Sequence, residues 1–66
     1  MTNSGMQEAV NQGMQGAAAA AQGDFASAAT HYGEAADLYR KLGDDEGAAR
    51  TRDLQAELAR QLEGQN

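Results

Sequence analysis

Cysteine, proline and tryptophan are absent from this sequence of 66 residues, and histidine occurs once, as His31. Without cysteine the chain can form neither a disulfide nor a thiolate metal site, and a single imidazole leaves little for histidine chemistry. The hydrophobic fraction of 41% is mostly alanine, which favours helix, and the strongest helix breaker, proline, is missing. The composition therefore predicts an all-α fold.

Basic residues are also scarce, since five Lys and Arg stand against ten Asp and Glu, for a net charge of -5. A nucleic-acid surface needs clustered basic side chains to displace counterions from phosphates, so we expect no nucleic-acid partner. The longest apolar run, residues 17–21, is far shorter than the roughly 20 residues that cross a bilayer. No basic segment of the signal-peptide kind precedes it, so we expect no membrane partner and a cytoplasmic location.

One phrase occurs twice, about one helix length apart. Residues 23–29 and 43–49 both read Gly-Asp-x-x-x-Ala-Ala. Glycine supplies the left-handed conformation that ends many helices, and an aspartate that follows it can cap the next helix with its side chain. We therefore predict that each copy ends one helix, at Gly23 or Gly43, and begins another, at Asp24 or Asp44. The paired alanines provide small side chains where successive helices pass closely.

The whole chain is expected to form one small helical domain, residues 1–66. Its helices are predicted over residues 5–22, 25–42 and 45–63, and its frayed ends over residues 1–3 and 64–66. Ser4 and Gln7 fit a capping box at the start of the first helix. Steps of three and four residues place one apolar stripe on this helix: Met6, Ala9, Val10, Gly13, Met14, Ala17 and Ala21. Glycine weakens a helix interior, so Gly13 and Gly16 indicate either a close helix contact or fraying.

The second and third helices carry clearer apolar stripes. That of the second helix is Phe25, Ala28, Tyr32, Ala35, Tyr39 and Leu42. That of the third is Ala48, Thr51, Leu54, Leu58 and Leu62. Opposite charges four residues apart predict helix-stabilising pairs between Asp37 and Lys41 and between Glu46 and Arg50. Gly64 is expected to end the third helix.

The first two helices resemble a tetratricopeptide repeat, a helical hairpin that stacks on further copies of itself. The resemblance covers about residues 6–42 and rests on these positions: Gly16, Gly23, Asp24, Phe25, Ala28, Tyr32 and Ala35. Residues 38–44, which read LYRKLGD, resemble the segment before the next repeat in longer-period variants. The resemblance implies about one and a half repeats, with the third helix as the start of a second repeat or as a solvating cap.

Several positions depart from the pattern of that family, so the resemblance is to a divergent member. The family often has tryptophan, an aromatic residue and proline where this chain has Gln12, Ala19 and Arg40. Its best understood peptide-binding clamp uses Lys and Asn to hold a C-terminal carboxylate. The corresponding positions here are Gly13, Ala17 and Glu34, so the resemblance implies a helical-repeat fold without that clamp.

Few residues of the chain are candidates for metal binding or catalysis. His31 and Glu34 supply two metal ligands at helical spacing, whereas zinc needs at least three from the protein. Ser27 lies one helical turn before His31, without an orienting acid or an oxyanion hole that the sequence can show. We therefore expect no enzyme, no metal site and no cofactor. A small enzyme or metal binder is the least favoured of three alternatives.

The favoured prediction is a protein–protein interaction module, an adaptor or docking domain that binds a partner helix or peptide. The alternative is a self-assembling unit that forms a helical homodimer, because so short a chain has a thin core. Candidate partner-binding residues lie on the first helix and the adjacent face of the second: Met6, Val10, Met14, Ala17, Ala21, Tyr32 and Tyr39. Core packing is the competing role for the two tyrosines. The preference for arginine on the third helix and the abundance of alanine and glycine indicate a bacterial source.

Overall fold

Three α-helices make up the fold. The computed structural model describes residues 4–64, and within that range it contains α1 (Ser4–Ala21), α2 (Phe25–Lys41) and α3 (Asp45–Gly64) and no strand. The predicted all-α, three-helix architecture is confirmed, and each predicted helix boundary lies within one residue of the observed one. Residues 1–3 and 65–66, predicted to be frayed, lie outside the described residues, whereas Gly64 is the last residue of α3.

Both Gly-Asp phrases form the predicted turn. Gly23 and Gly43 each have φ of 82°, the left-handed conformation that favours glycine. At the first turn the Gly23 N–H donates to the Ala20 carbonyl at 3.0 Å and the Asp24 N–H donates to the Ala19 carbonyl at 2.9 Å. This pair of bonds is the Schellman motif, which satisfies the last carbonyls of the finished helix.

The second turn repeats these bonds and adds a tighter cap. The Gly43 N–H donates to the Arg40 carbonyl at 3.0 Å and the Asp44 N–H donates to the Tyr39 carbonyl at 2.8 Å. Oδ1 of Asp44 then accepts the Gly47 N–H at 3.0 Å, while at the first turn Oδ1 of Asp24 accepts the Ser27 N–H at 3.3 Å. Each aspartate therefore begins the next helix, as predicted.

The start of α1 differs from the prediction. Ser4 is the first residue of α1 itself, whereas the predicted capping box requires it to precede the helix. The residue that would occupy the capping position, Asn3, lies outside the described residues. The prediction of where the helix starts holds, and the capping role of Ser4 does not follow from the structure.

α2 is the central helix of the fold. It packs against both α1 and α3, which hardly meet each other. The molecule is elongated, with extents of 46 × 20 × 11 Å along its principal axes. A small core joins the helices through Ala28 and Tyr32 of α2 and Leu58 of α3, with Ala19 and Ala20 of α1 packed against it. No large side chain in the described range is completely buried.

Surface charges pair locally along the helices. The predicted pair of Glu46 and Arg50 is present at 3.1 Å between oxygen and nitrogen. Asp37 lies 3.8 Å from Arg40 rather than pairing with Lys41, so that part of the prediction is corrected. Both pairs are largely exposed, and such pairs contribute little to stability. None of the helices in the described range has the length and apolar character needed to cross a membrane.

Candidate functional site

Large apolar side chains are exposed along one side of α1. Met6, Val10 and Met14 are exposed to 37%, 43% and 63%, and they account for three of the five large hydrophobic residues left exposed in the described chain. Smaller residues continue the same side of the helix. We call this surface the α1 row: Met6, Val10, Gly13, Met14, Ala17 and Ala21. All six residues were predicted to share one face of the helix, and five of them are the predicted partner contacts on α1: Met6, Val10, Met14, Ala17 and Ala21.

Small residues, rather than the row, make the contact between α1 and α2. Ala9 and Gly16 are the buried residues of α1. A Cβ added at Gly16 would lie 3.1 Å from the Tyr32 ring, which is tighter than ordinary van der Waals contact. Glycine at this position therefore lets α1 lie directly on the ring. The predicted apolar stripe of α1 therefore does not form one buried face. Ala9 is buried, whereas the larger residues Met6, Val10 and Met14 are exposed to solvent.

A shallow groove lies between α1 and α3, above α2. Its floor is formed by Tyr32, which is buried, and Tyr39, which is half-buried. Met6 and Gly13 line it from α1, and its volume is about 420 Å³. Leu54 lines it from α3 and is 49% exposed, although its stripe position predicted burial. Apolar surface is thus exposed on both walls of the groove.

Charge contributes little to this groove. Of its two charged lining residues, Arg50 already pairs with Glu46, and Asp44 already accepts the Gly47 N–H. α1 carries a single charged residue, Glu8, which does not line the groove. The surface is therefore suited to apolar contact rather than to recognition of a charged ligand.

Outside the groove, two polar contacts join neighbouring helices. Nδ1 of His31 lies 2.8 Å from Oε1 of Gln12, which joins α2 to α1 and requires the imidazole Nδ1–H to donate. Nε2 of Gln55 donates to the Ala29 carbonyl at 3.3 Å and joins α3 to α2. The Gln55 side chain passes over Gly33 to reach this carbonyl. A Cβ added at Gly33 would lie only 2.7 Å from Nε2 of Gln55, so a larger residue there would crowd the Gln55 side chain. Sequence spacing carried no signal for these long-range pairs.

The candidate metal and catalytic residues are not brought into a reactive arrangement. His31 is engaged with Gln12, and the Ser27 N–H takes part in capping α2. Within residues 4–64, no three His, Asp or Glu side chains lie together in a way that could hold a metal ion. The arrangement offers packing and hydrogen bonding, with the α1 row and the groove as its accessible apolar surface.

Comparison of the chain with models of protein families, with curated proteins and with solved structures found no match. The functional argument therefore rests on the geometry of the chain itself.

Proposed function

We propose that this chain is a non-catalytic protein–protein interaction module that binds a partner helix through the α1 row and the adjacent groove. The observation that carries the proposal is the exposure of Met6, Val10 and Met14 on one side of α1. Methionine adapts to irregular apolar surfaces, and an amphipathic helix lies readily in an apolar groove. Apolar side chains concentrated in this way on a monomer's surface are typical of interaction sites.

The groove supports the proposal in two ways. Tyr39 is half-buried in its floor, so its ring presents a rigid apolar surface that can pack against an incoming side chain. Gly13 has no atom within 4 Å of the position of an added Cβ, so a second helix can approach α1 closely there. Gly16 packs against the Tyr32 ring, so Tyr32 contributes to the shape of the groove floor rather than a freely exposed ring.

The resemblance to tetratricopeptide repeats supports the same proposal, because helical repeats commonly bind partners on the surface formed by successive helices. We further propose that the module acts as an adaptor or docking domain in the bacterial cytoplasm. Composition alone supports that location. A catalytic role has no comparable support, since Nδ1 of His31, the one imidazole of the chain, bonds to Gln12.

Binding of a designed helix tests the proposal. The probe is a synthetic amphipathic peptide with leucine at steps of three and four, and its control is a scrambled peptide of the same composition. Amide chemical shifts of the dilute chain are followed by NMR during titration. We expect saturable shifts at the α1 row and at Tyr39 and Leu54 with the amphipathic peptide, and none with the scrambled one.

A matched pair of variants locates the binding. Met14→Asp places a charge in the α1 row, whereas Asn11→Asp adds the same charge at an exposed polar position of the same helix. We expect the first variant to lose binding and the second to retain it. Equal binding by both variants, or shifts confined to the outer side of α3, would contradict the proposal.

A further inference from the structure

The sulfur atoms of this chain are concentrated on the α1 row. The sequence has no cysteine and three methionines, Met1, Met6 and Met14. Met1 lies outside the described residues, and the other two belong to the row. Met6 lines the groove and is 37% exposed, and Met14 is 63% exposed. Both described methionines are therefore open to an oxidant in the solvent.

Hydrogen peroxide oxidises methionine in a single step. The thioether sulfur attacks one oxygen of the peroxide with a lone pair, so that an S–O bond forms and the O–O bond breaks. The departing hydroxide takes up the proton of the transferred oxygen, and the products are methionine sulfoxide and water. Sulfur loses the two electrons that the peroxide gains. The new side chain is polar, whereas methionine is apolar.

The buried residues that hold the helices together include neither of these methionines. The core cluster is formed by Ala28, Tyr32 and Leu58. The buried residues of α1 are Ala9 and Gly16. A sulfoxide on the α1 row therefore adds a polar group to an exposed apolar surface and leaves the contact between α1 and α2 in place.

The spacing of the two methionines places both within reach of one bound helix. Met6 and Met14 are eight residues apart on the same side of α1, which corresponds to about 12 Å along the helix. A partner helix that follows the row for about two turns contacts both. A sulfoxide oxygen accepts hydrogen bonds from water, and burial against an apolar side chain removes those bonds at a cost in free energy.

We infer that the α1 row is a redox-sensitive binding surface, in which oxidation of Met6 and Met14 by a peroxide releases the bound helix while the chain stays folded. The inference rests on the proposed function, because it names the regulation of the same surface. Methionine sulfoxide reductases remove the added oxygen, with one enzyme for each sulfoxide epimer, so the released state is reversible.

Peptide binding before and after oxidation tests the inference. The full chain is titrated with the leucine-based amphipathic peptide, untreated and after exposure to hydrogen peroxide. Mass spectrometry of proteolytic fragments measures the oxidation of each methionine, and circular dichroism measures helicity. We expect oxidation to raise the Kd at least about tenfold with helicity retained. Treatment with both reductases should restore the original Kd.

A double variant, Met6→Leu with Met14→Leu, is the matched control. Leucine is close to methionine in volume and in helix propensity, so the row stays apolar and the helix still forms. The variant keeps Met1, so any effect of oxidation at that residue is present in both chains. We expect the variant to bind the peptide equally well before and after exposure to peroxide. A loss of binding as large as that of the unchanged chain would overturn the inference.

The outcomes separate this inference from the proposed function. If the untreated chain binds the peptide at the α1 row and the oxidised chain binds it equally well, the inference is wrong and the proposed function stands. Loss of helicity on oxidation also overturns the inference, because the sulfoxides then unfold the chain instead of altering its surface. If the untreated chain binds no helix, both are wrong.

Discussion

The two Gly-Asp turns share one backbone and differ in what surrounds it. Both have glycine at φ of 82°, the same pair of Schellman hydrogen bonds and an aspartate that caps the following helix. Four residues before the glycine, however, the first turn has Ala19 and the second has Tyr39. Three residues after the aspartate, the first has Ser27 and the second has Gly47. The two differences are physically connected.

The Tyr39 ring occupies the space that a side chain at position 47 would need. A Cβ added at Gly47 would lie 3.0 Å from Cδ1 of Tyr39 and 2.7 Å from Oδ2 of Asp44. At the first turn the small Ala19 leaves this space open, and Ser27 is accommodated. Both copies of the phrase keep the glycine and aspartate that the turn needs. The two variable positions differ as a pair: the small Ala19 occurs with Ser27, and the large Tyr39 occurs with Gly47.

Exchange of the variable residue should have the largest effect. Gly47→Ser brings the residue of the first turn into the second, where it must displace either the Tyr39 ring or the capping carboxylate. We expect a loss of about 2 kcal/mol in the free energy of unfolding, since overpacking of this kind typically costs 1–3 kcal/mol. Urea denaturation followed by circular dichroism at a fixed chain concentration measures it.

The reverse exchange and a double variant serve as controls. Ser27→Gly should cost only about 0.5 kcal/mol, through the lower helix propensity of glycine. In a Tyr39→Ala background, Gly47→Ser should lose most of its cost, because the ring that it meets is gone. Independent effects of the two substitutions would show that the turns differ for another reason.

Substitution of the turn glycines should affect the two turns equally. Gly23→Ala and Gly43→Ala each force an alanine into the left-handed conformation, at a cost of about 1–2 kcal/mol. Gly13→Ala is the matched control, because it adds the same methyl group in a helix interior with nothing within 4 Å. It should stabilise the chain by up to about 1 kcal/mol. A much larger loss at one turn than at the other would mean that their backbones are not equivalent in solution.

The turns were predictable from sequence because their chemistry is local. A glycine followed by aspartate specifies both the end of one helix and the start of the next, so the helix boundaries could be placed within one residue. The same reasoning identified Ala28 and Ala48 as small residues at close helix contacts, and both are buried. Ala49 is exposed, so the second alanine of the later copy does not share that role.

The candidate site was only partly predictable, because the face that a helix buries depends on its neighbours. The α1 sequence is rich in alanine and glycine, so its stripe gives a weak indication of direction. Which side faces α2 is decided by how closely Gly16 can approach the Tyr32 ring, a contact between residues on different helices. The bond between His31 and Gln12 depends on the same approach and could not be read from spacing.

Removal of the caps should have an intermediate and unequal effect. Asp44→Ala should cost about 1 kcal/mol, because its bond of 3.0 Å is half-buried and satisfies an amide next to Tyr39. Asp24→Ala should cost about 0.5 kcal/mol, because its bond is 3.3 Å long and exposed. Asparagine at either position also caps a helix, so Asp24→Asn and Asp44→Asn should restore most of the loss. Equal costs for the two alanine variants would contradict the difference in bond geometry.

The smallest effect concerns charge after the cap. The second turn is followed by Glu46, which pairs with Arg50, whereas the equivalent positions after the first turn hold Ala26 and Thr30. Glu46→Gln should cost about 0.3–0.5 kcal/mol, since it removes both the pair and a negative charge near the helix N-terminus. Ala26→Glu should stabilise the chain by a smaller amount, because the new carboxylate interacts with the N-terminal end of the helix dipole and Thr30 offers it no ion pair. Both effects should shrink in about 1 M salt, which screens exposed charges beyond about 3 Å. An effect of Glu46→Gln that persists unchanged in salt would instead indicate a packing role for that side chain.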